Sequence, residues 1–410
     1  MSSMSCKFCD HPLKHTFVDL GMAPLVSSYL QEADLHRAEV FYPLRVYVCE
    51  NCYLVQLPAA ETPEKLFSHY PYFSSVSASW LRHAKTYVEN MIERFKFSSS
   101  SHVIEIASND GYLLQYFREK GVPVLGIEPA DNVAAAARKS GIPTIVKFFG
   151  LQTALELAGQ KTLGDLVLGN NVLAHVPDVN DFVSGLKVLL KPHGIITMEF
   201  PHLLKLIAEN QFDTIFHEHF SYFSFMTVER IFAKHGLTIL DVEEVPTHGG
   251  SLRIYARHTE AKINSTSERV HELRDRESKV GIDKIDTYAS FEEKVRITKH
   301  KLLKFLIEVK QKNCSVVAYG AAGKGCILLN YCGIRSDFID YTVDLSSYKQ
   351  GLYLPGTHSP IYHPDRIRDT KPDYVLILPW NLKSEILEQM SYIRDWGGKF
   401  VVPIPEVAIY

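Results

Sequence analysis

Four cysteines in two tight pairs constrain this chain more than any other feature. Cys6-Lys-Phe-Cys9 and Cys49-Glu-Asn-Cys52 stand about forty residues apart. Each C-x-x-C turn offers two thiolates at little cost in loop entropy, and zinc takes four in a tetrahedron. The separation exceeds that of compact zinc fingers, so a small subdomain must be threaded between the knuckles. Two redox dithiols, or four unrelated buried thiols, are the competing readings. Two knuckles in one short segment of a chain expected in the reducing cytoplasm favour zinc. With Cys6, Cys9, Cys49 and Cys52 filling every ligand position, the expected role of the metal is structural.

At 410 residues the chain is too long for one hydrophobic core, and two to four domains are expected. Its formal net charge of -3 argues against affinity built on phosphate backbones. Around the knuckles, Lys7, Lys14, Arg37 and Arg45 are offset by Asp10, Asp19, Glu32, Asp34, Glu39 and Glu50. The segment therefore reads as a scaffold or substrate lid, with no nucleic-acid partner. No apolar run approaches the ~20 residues of a membrane span, and the first residues lack a signal-peptide core. Neither a membrane partner nor export is expected. Cys314, Cys326 and Cys332 lack ligand spacing and read as packed thiols.

The middle of the chain carries a nucleoside-binding pattern. His102-Val-Ile-Glu-Ile-Ala107 reads as a buried parallel strand, running through Ser108-Asn-Asp-Gly111 into the amphipathic stretch Tyr112–Phe117. A second strand, Pro123–Glu128, ends in an acid about twenty residues after the first, placed to take ribose hydroxyls. The turn is not G-x-G-x-x-G, and it carries an acid where a pyrophosphate would sit. A cationic nucleoside without phosphate fits better, and S-adenosylmethionine is the common one. Glu105, Ala107, Ser108, Asn109, Gly111, Glu128 and Pro129 are the expected cofactor contacts. Asn170 and Asn171, closing the strand pattern Asp165–Asn170, join them. A helix over 187–192 and a strand over 194–201 continue the α/β alternation.

Phe216-His217-Glu218-His219-Phe-Ser-Tyr222 is the densest polar and aromatic cluster. It is not the H-E-x-x-H of a zinc protease, and no third ligand lies nearby. An alternating strand or loop would put His217 and His219 on one side and Glu218 on the other. A general base is the favoured reading, because imidazole titrates near neutral pH and a neighbouring carboxylate can orient it. Two satisfied surface histidines are the plain alternative.

Taken together, Cys6-x-x-Cys9, Cys49-x-x-Cys52, Tyr70-Pro-Tyr72-Phe-Ser-Ser, Glu105-Ile-Ala-Ser-Asn-Asp-Gly111, Asn170-Asn-Val-Leu-Ala-His175-Val-Pro and His217-Glu-His219 resemble the sugar C-methyltransferases that act on nucleotide-linked 4-keto-6-deoxyhexoses. The resemblance runs along essentially the whole chain. It implies an N-terminal zinc ribbon-like domain, a Rossmann-like class I methyltransferase domain, and a second, smaller Rossmann-like α/β domain that helps hold the sugar nucleotide. The corresponding division is 1–69, 70–260, a helical connector over 261–310, and 311–410. Two departures stand out: Ala107 replaces the family's usual glycine, and Phe216 its usual tyrosine.

In the last third, the strand Ser315–Gly320 feeds the glycine-rich turn Ala321-Ala-Gly-Lys324-Gly325, which opens a helix as a phosphate cradle would. It lacks the Lys-Ser/Thr end of a Walker motif. Tyr319, Gly320, Lys324 and Lys349 are the expected substrate contacts. Before this region, Lys299, Lys301 and Lys304 are expected on solvated helix faces.

The resulting expectation is an S-adenosylmethionine-dependent C-methyltransferase with a nucleotide-linked ketosugar as substrate. A ketone acidifies the adjacent C–H, so a base can leave an enolate whose carbon attacks the sulfonium methyl. His219 is the expected base, Glu218 its orienting or tuning group or else a simple hydrogen-bonding partner of the substrate, and His175 a polar contact or proton carrier. Tyr70, Tyr72 and Tyr222 are expected around the sugar. Carbons 3 and 5, which flank the ketone, both satisfy this chemistry. A ketosugar epimerase using the same base and a zinc-ribbon nucleic-acid methylase are the rivals. A monomer or weak dimer is expected.

Overall fold

The computed structural model describes residues 4–70, 72–261 and 266–410. The first strand of each larger sheet is short and buried along its whole length: Val103–Ile106 in the middle, and Val316–Tyr319 near the end. Such continuous apolar runs suit parallel strands covered by helices on both faces.

The middle sheet has seven strands. Numbered along the chain within this sheet, their order is 3-2-1-4-5-7-6. Strand seven, Ser251–His258, runs antiparallel to both neighbours, Leu190–Pro201 and Leu237–Val245. The C-terminal sheet has six strands in the order 3-2-1-4-5-6, parallel except for the last, Ala408–Ile409. Each order reverses between strands one and four. In an open α/β sheet that switch point is where ligands bind, beyond the carboxyl ends of the strands.

A third sheet of four strands carries the cysteine knuckles. His15–Ala23, Tyr42–Val48 and Val55–Gln56 come from the N-terminal segment. The fourth strand is Ser221–Tyr222, directly after the His-Glu-His cluster. The knuckle residues Cys6, Phe8, Cys49 and Cys52 pack in the core of the middle domain. Phe17, Val18, Leu44 and Val46 of the same segment share a core with the long helix Phe291–Gln311 and the C-terminal sheet. Phe17 stacks on Phe291 with ring centroids 4.5 Å apart. The N-terminal segment is thus a wedge between the two α/β units.

Several local expectations change. The helix expected over 187–192 ends at Leu189, and residues 190–192 already belong to the strand Leu190–Pro201. The second strand of the C-terminal sheet is only Thr342–Val343. In the connector, helices Glu268–Val280 and Phe291–Gln311 dominate. Lys299 is not on a solvated face: its ammonium donates to the Tyr331 carbonyl at 2.6 Å and lies over that ring. Glu277 locks the first helix to the middle domain. It accepts the N–H groups of Phe225 and Met226 at 2.7 and 2.9 Å and takes His202 Nε2 at 2.6 Å. That carboxylate satisfies the free donors opening the helix Phe225–Lys234. No helix among the described residues is long and apolar enough to cross a membrane.

Candidate functional site

Both switch points open on one cavity of about 500 Å³, which also receives Val26, Ser27 and Tyr29 from the N-terminal wedge. The middle sheet supplies Ala107, Asn109, Glu128, Pro129, Asn170 and Asn171 to its wall. The turn after the first strand is held by Glu128, whose carboxylate accepts the N–H of Asn109 at 2.8 Å and of Ala130 at 2.9 Å. Burial pushes Glu128 up to about 6. Glu105, Ser108 and Gly111 stand behind the wall. Both Glu105 oxygens are buried without a partner, and burial raises that carboxyl well above its usual range. Asp110 Oδ1, Asn170 Nδ2 and Asn171 Oδ1 are likewise unsatisfied.

An acid-rich turn with orphaned polar atoms suits a cationic ligand that brings its own hydrogen-bonding groups. These residues fit S-adenosylmethionine. Ala107 sits at φ 56 and Gly111 at φ 79. At the first position a glycine would relax the backbone; at the second a Cβ would also meet Ile142 Cγ1 at 2.8 Å.

Tyr70 and residues 72–75 form a strap over this turn. Asn132 accepts the Tyr70 N–H at 3.0 Å and donates to its carbonyl at 2.7 Å. Asn109 accepts the Ser74 N–H at 2.9 Å and donates to the Tyr72 carbonyl at 3.1 Å. Tyr72 stays at the rim, 47% exposed. The Tyr70 hydroxyl turns inward and donates to Glu218 Oε2 at 3.2 Å.

The His-Glu-His cluster is a tight turn, closed by His219 N–H to the Phe216 carbonyl at 2.9 Å, and not an alternating strand. Glu218 and His219 therefore both reach the cavity. His217 points the other way, to the Pro43 carbonyl at 3.3 Å and the Tyr42 ring. The expectation that Glu218 orients His219 is corrected. His219 Nδ1–H donates to the Thr214 carbonyl at 2.8 Å, which fixes the tautomer and leaves Nε2 as the basic nitrogen. Phe216 packs tilted against the ring with centroids 3.9 Å apart, and His175 meets it edge-on at 4.7 Å. Burial, reinforced by His175, holds His219 well below its usual pKa, and burial pulls His175 to about 4. Both are neutral at pH 7. Tyr222 lies beneath His219 in the sheet, its hydroxyl buried and unpartnered, and does not line the cavity.

The C-terminal sheet contributes Gly323, Lys324, Lys349 and Asn381. Asp344, at the end of its second strand, accepts the N–H of Ala321 and of Ser346, each at 2.8 Å, and pairs with Lys349 at 3.2 Å. Tyr319 and Gly320 do not line the cavity, in contrast to the expectation. The Tyr319 hydroxyl reaches Gln389 at 3.2 Å, and Gly320 is packed so that a Cβ would meet Pro379 at 2.5 Å.

The knuckle thiols lie within 4.8 Å of one another, with Cys6–Cys52 at 3.5 Å and Cys9–Cys49 at 3.6 Å. Four thiolates at ~2.3 Å from a tetrahedral zinc stand about 3.8 Å apart, so the group fits the metal. Gln56 donates to Cys6 Sγ at 3.1 Å, and its amide is oriented by the Lys7 N–H at 2.9 Å. Lys7 Nζ also holds the Leu57 carbonyl at 2.7 Å, and Thr227 the Cys52 carbonyl at 3.2 Å. The metal site thereby braces the strand that follows His219.

Along the chain, residues 6–67 match a family described as "Putative zinc binding domain", 80–242 a methyltransferase domain, and 246–405 a C-methyltransferase C-terminal domain. The chain is 36% identical over 401 residues to the C-methyltransferase NovU of Streptomyces niveus, covering 98% of this chain and 95% of that protein. The chain belongs to the C-methyltransferase family. A ubiquinone biosynthesis O-methyltransferase of Rhodopseudomonas palustris (strain HaA2) is 34% identical over 104 residues, 24% of this C-methyltransferase and 40% of that protein. Among solved structures, the magnesium protoporphyrin IX methyltransferase of Synechocystis PCC 6803 aligns at a TM-score of 0.34 and 16% identity, over 43% of this chain and 82% of that one.

Some site residues carry no signal in the sequence of a C-methyltransferase. Thr214 acts through its carbonyl, which any residue would supply. Asn132 and Asn381 are single polar residues in ordinary surroundings. His248-Gly-Gly-Ser251, by contrast, reads in the sequence either as cleft lining or as a structural turn before the strand that follows. His248 lines the cavity at φ 54, with Asn171 Nδ2 donating to its Nε2 at 2.9 Å.

Proposed function

We propose that this C-methyltransferase methylates a carbon beside the ketone of a nucleotide-linked 4-keto-6-deoxyhexose, with His219 as the base. The observation that carries the reading is the free Nε2 of His219, fixed by the Thr214 carbonyl and set between the switch point that presents Glu128 and the one that presents Lys324 and Lys349. Asn109, Glu128 and Asn170 would hold S-adenosylmethionine, which would supply the electrophilic methyl group. His219 Nε2 takes the proton from the carbon next to the ketone, and the C–H electron pair moves toward oxygen as the enolate. Its imidazole is unprotonated at pH 7, as a base must be, and the imidazolium it becomes is paired with the enolate. Glu218 and Tyr70 are placed to bind a sugar hydroxyl as a pair, the phenol fixing one carboxylate oxygen and leaving the other free. Membership of the C-methyltransferase family weighs against the epimerase alternative.

His219→Ala is expected to lose roughly 100-fold or more of methyl transfer while still binding S-adenosylmethionine. Mass spectrometry of products from a panel of nucleotide-linked 4-ketosugars measures this. Undiminished turnover in the variant, or a wild-type enzyme that methylates none of the panel, ends the proposal.

A further inference from the structure

Lys324 and Lys349 both line the C-terminal half of the cavity, but their surroundings differ. Lys349 is paired with Asp344 and lies over the Tyr29 ring, beside the turn that opens the helix Gly323–Cys332. Lys324 has three donors. One reaches Asn381 Oδ1 at 2.8 Å, and the ammonium stands 4.6 Å above the centre of the Trp380 ring. Asp213, the acid whose charge it feels, instead accepts Trp380 Nε1–H at 2.8 Å. Two N–H groups of Lys324 therefore remain for a ligand.

Its place in the chamber says which part of a ligand. A Cβ on the preceding Gly323 would lie 3.8 Å from the Phe216 ring, the ring packed against His219. On the other side, the Trp380 ring passes under Gly249, where a Cβ would come within 2.5 Å, next to His248. Lys324 thus stands between the turn that carries the base and the turn that carries His248. Its charge lowers the proton affinity of both imidazoles. This is the reacting end of the chamber.

We propose that the Lys324 ammonium binds the ketone oxygen of the substrate and holds the charge of the enolate while His219 takes the neighbouring proton. The inference rests on the enolate reading above. As the C–H bond breaks, its proton goes to His219 Nε2, its electron pair forms the C=C bond, and the C=O pair moves onto oxygen. Lys324 keeps its proton and donates a hydrogen bond to that oxygen. When the new C–C bond forms, the carbonyl returns, the C–S pair stays on sulfur, and His219 releases its proton to solvent. A fixed cation aimed at an oxygen that gains charge is strongest in a site from which water is excluded. Lys324 is then a catalytic residue, and Lys349 is the cation left for the pyrophosphate.

The test follows proton exchange separately from binding. The full chain is incubated in D2O with a thymidine-diphosphate-linked 4-keto-6-deoxyhexose and S-adenosylhomocysteine, and deuterium entering beside the ketone is read by mass spectrometry. Lys324→Met is expected to slow this exchange on the order of 100-fold at saturating substrate and to leave the Kd of thymidine diphosphate within about 3-fold. Unchanged S-adenosylmethionine affinity reports that the variant is folded, and Lys324→Gln serves should Met fail to fold. Exchange at the wild-type rate, together with thymidine diphosphate binding weakened about 10-fold or more, would make Lys324 a phosphate ligand and overturn the inference. A wild-type enzyme that exchanges no deuterium overturns the enolate reading itself, and this inference with it.

Discussion

The two α/β sheets solve the same local problem with opposite charge. In each, an acid at the end of the second strand clamps the turn after the first strand and the N–H two residues beyond itself. Glu128 holds Asn109 and Ala130; Asp344 holds Ala321 and Ser346. The geometry is shared, and the surroundings are not. Glu128 stands near Glu105, both of whose oxygens lack a partner, and Asp110, whose Oδ1 does, whereas Asp344 is neutralised by Lys349, with Lys324 on the same turn. One frame is surrounded by acids and the other by lysines. In a chain of net charge -3, the field that an anionic ligand would meet in the C-terminal half of the cavity is set locally.

The wedge that joins the sheets offers the largest break. Cys49→Ser removes a zinc ligand and exposes a core shared with the middle domain, so metal content should fall and the protein should aggregate before any selective loss of chemistry. Metal analysis with size-exclusion chromatography checks this; a folded, zinc-free and active variant would deny the brace. A smaller change sits where the strap enters the chamber. Tyr70→Phe removes one hydrogen bond to a carboxylate, and kcat/KM for the ketosugar should fall about 10-fold with S-adenosylmethionine affinity unchanged. Steady-state kinetics with calorimetry separates the two.

The acid-lined side should also respond to pH. Glu128 is raised to about 6, so below that pH it is protonated and attracts a cation less. S-adenosylmethionine affinity should rise as pH increases through about 6, and this rise should shrink in Glu128→Gln. Calorimetric titrations between pH 5 and 8 check it. The smallest effect concerns Ala107, held at φ 56. Ala107→Gly relieves roughly 1–2 kcal/mol of left-handed strain and returns part of it as unfolded-chain entropy. A net gain of about 0.5–1 kcal/mol, or roughly 1–3 °C in the melting of the middle domain, is expected by calorimetry.

Much of this was legible in the chain because it is encoded locally. The buried runs Val-Ile-Glu-Ile and Val-Val-Ala-Tyr, the acid closing the second strand, and the paired knuckles are short-range patterns with a physical cause. What escaped depends on the tertiary fold. Ser221–Tyr222 completes the zinc-bearing sheet although it lies far along the chain, and a two-residue strand carries no periodicity. The His-Glu-His cluster reads as alternation in one dimension, yet the turn from Phe216 to His219 puts Glu218 and His219 together and His217 apart. Thr214 holds His219 through its backbone, which no residue type announces. Tyr319 satisfies the strand pattern and still faces Gln389, away from the cavity.

Binding of each ligand to each side tests the division of charge most directly. S-adenosylmethionine and thymidine diphosphate are titrated by calorimetry into Glu128→Gln and Lys349→Met. The first variant should weaken S-adenosylmethionine about 10-fold and leave thymidine diphosphate within about 2-fold, and the second should do the reverse. If both variants weaken the same ligand, or each weakens both equally, the two switch points do not hold separate ligands and the account fails.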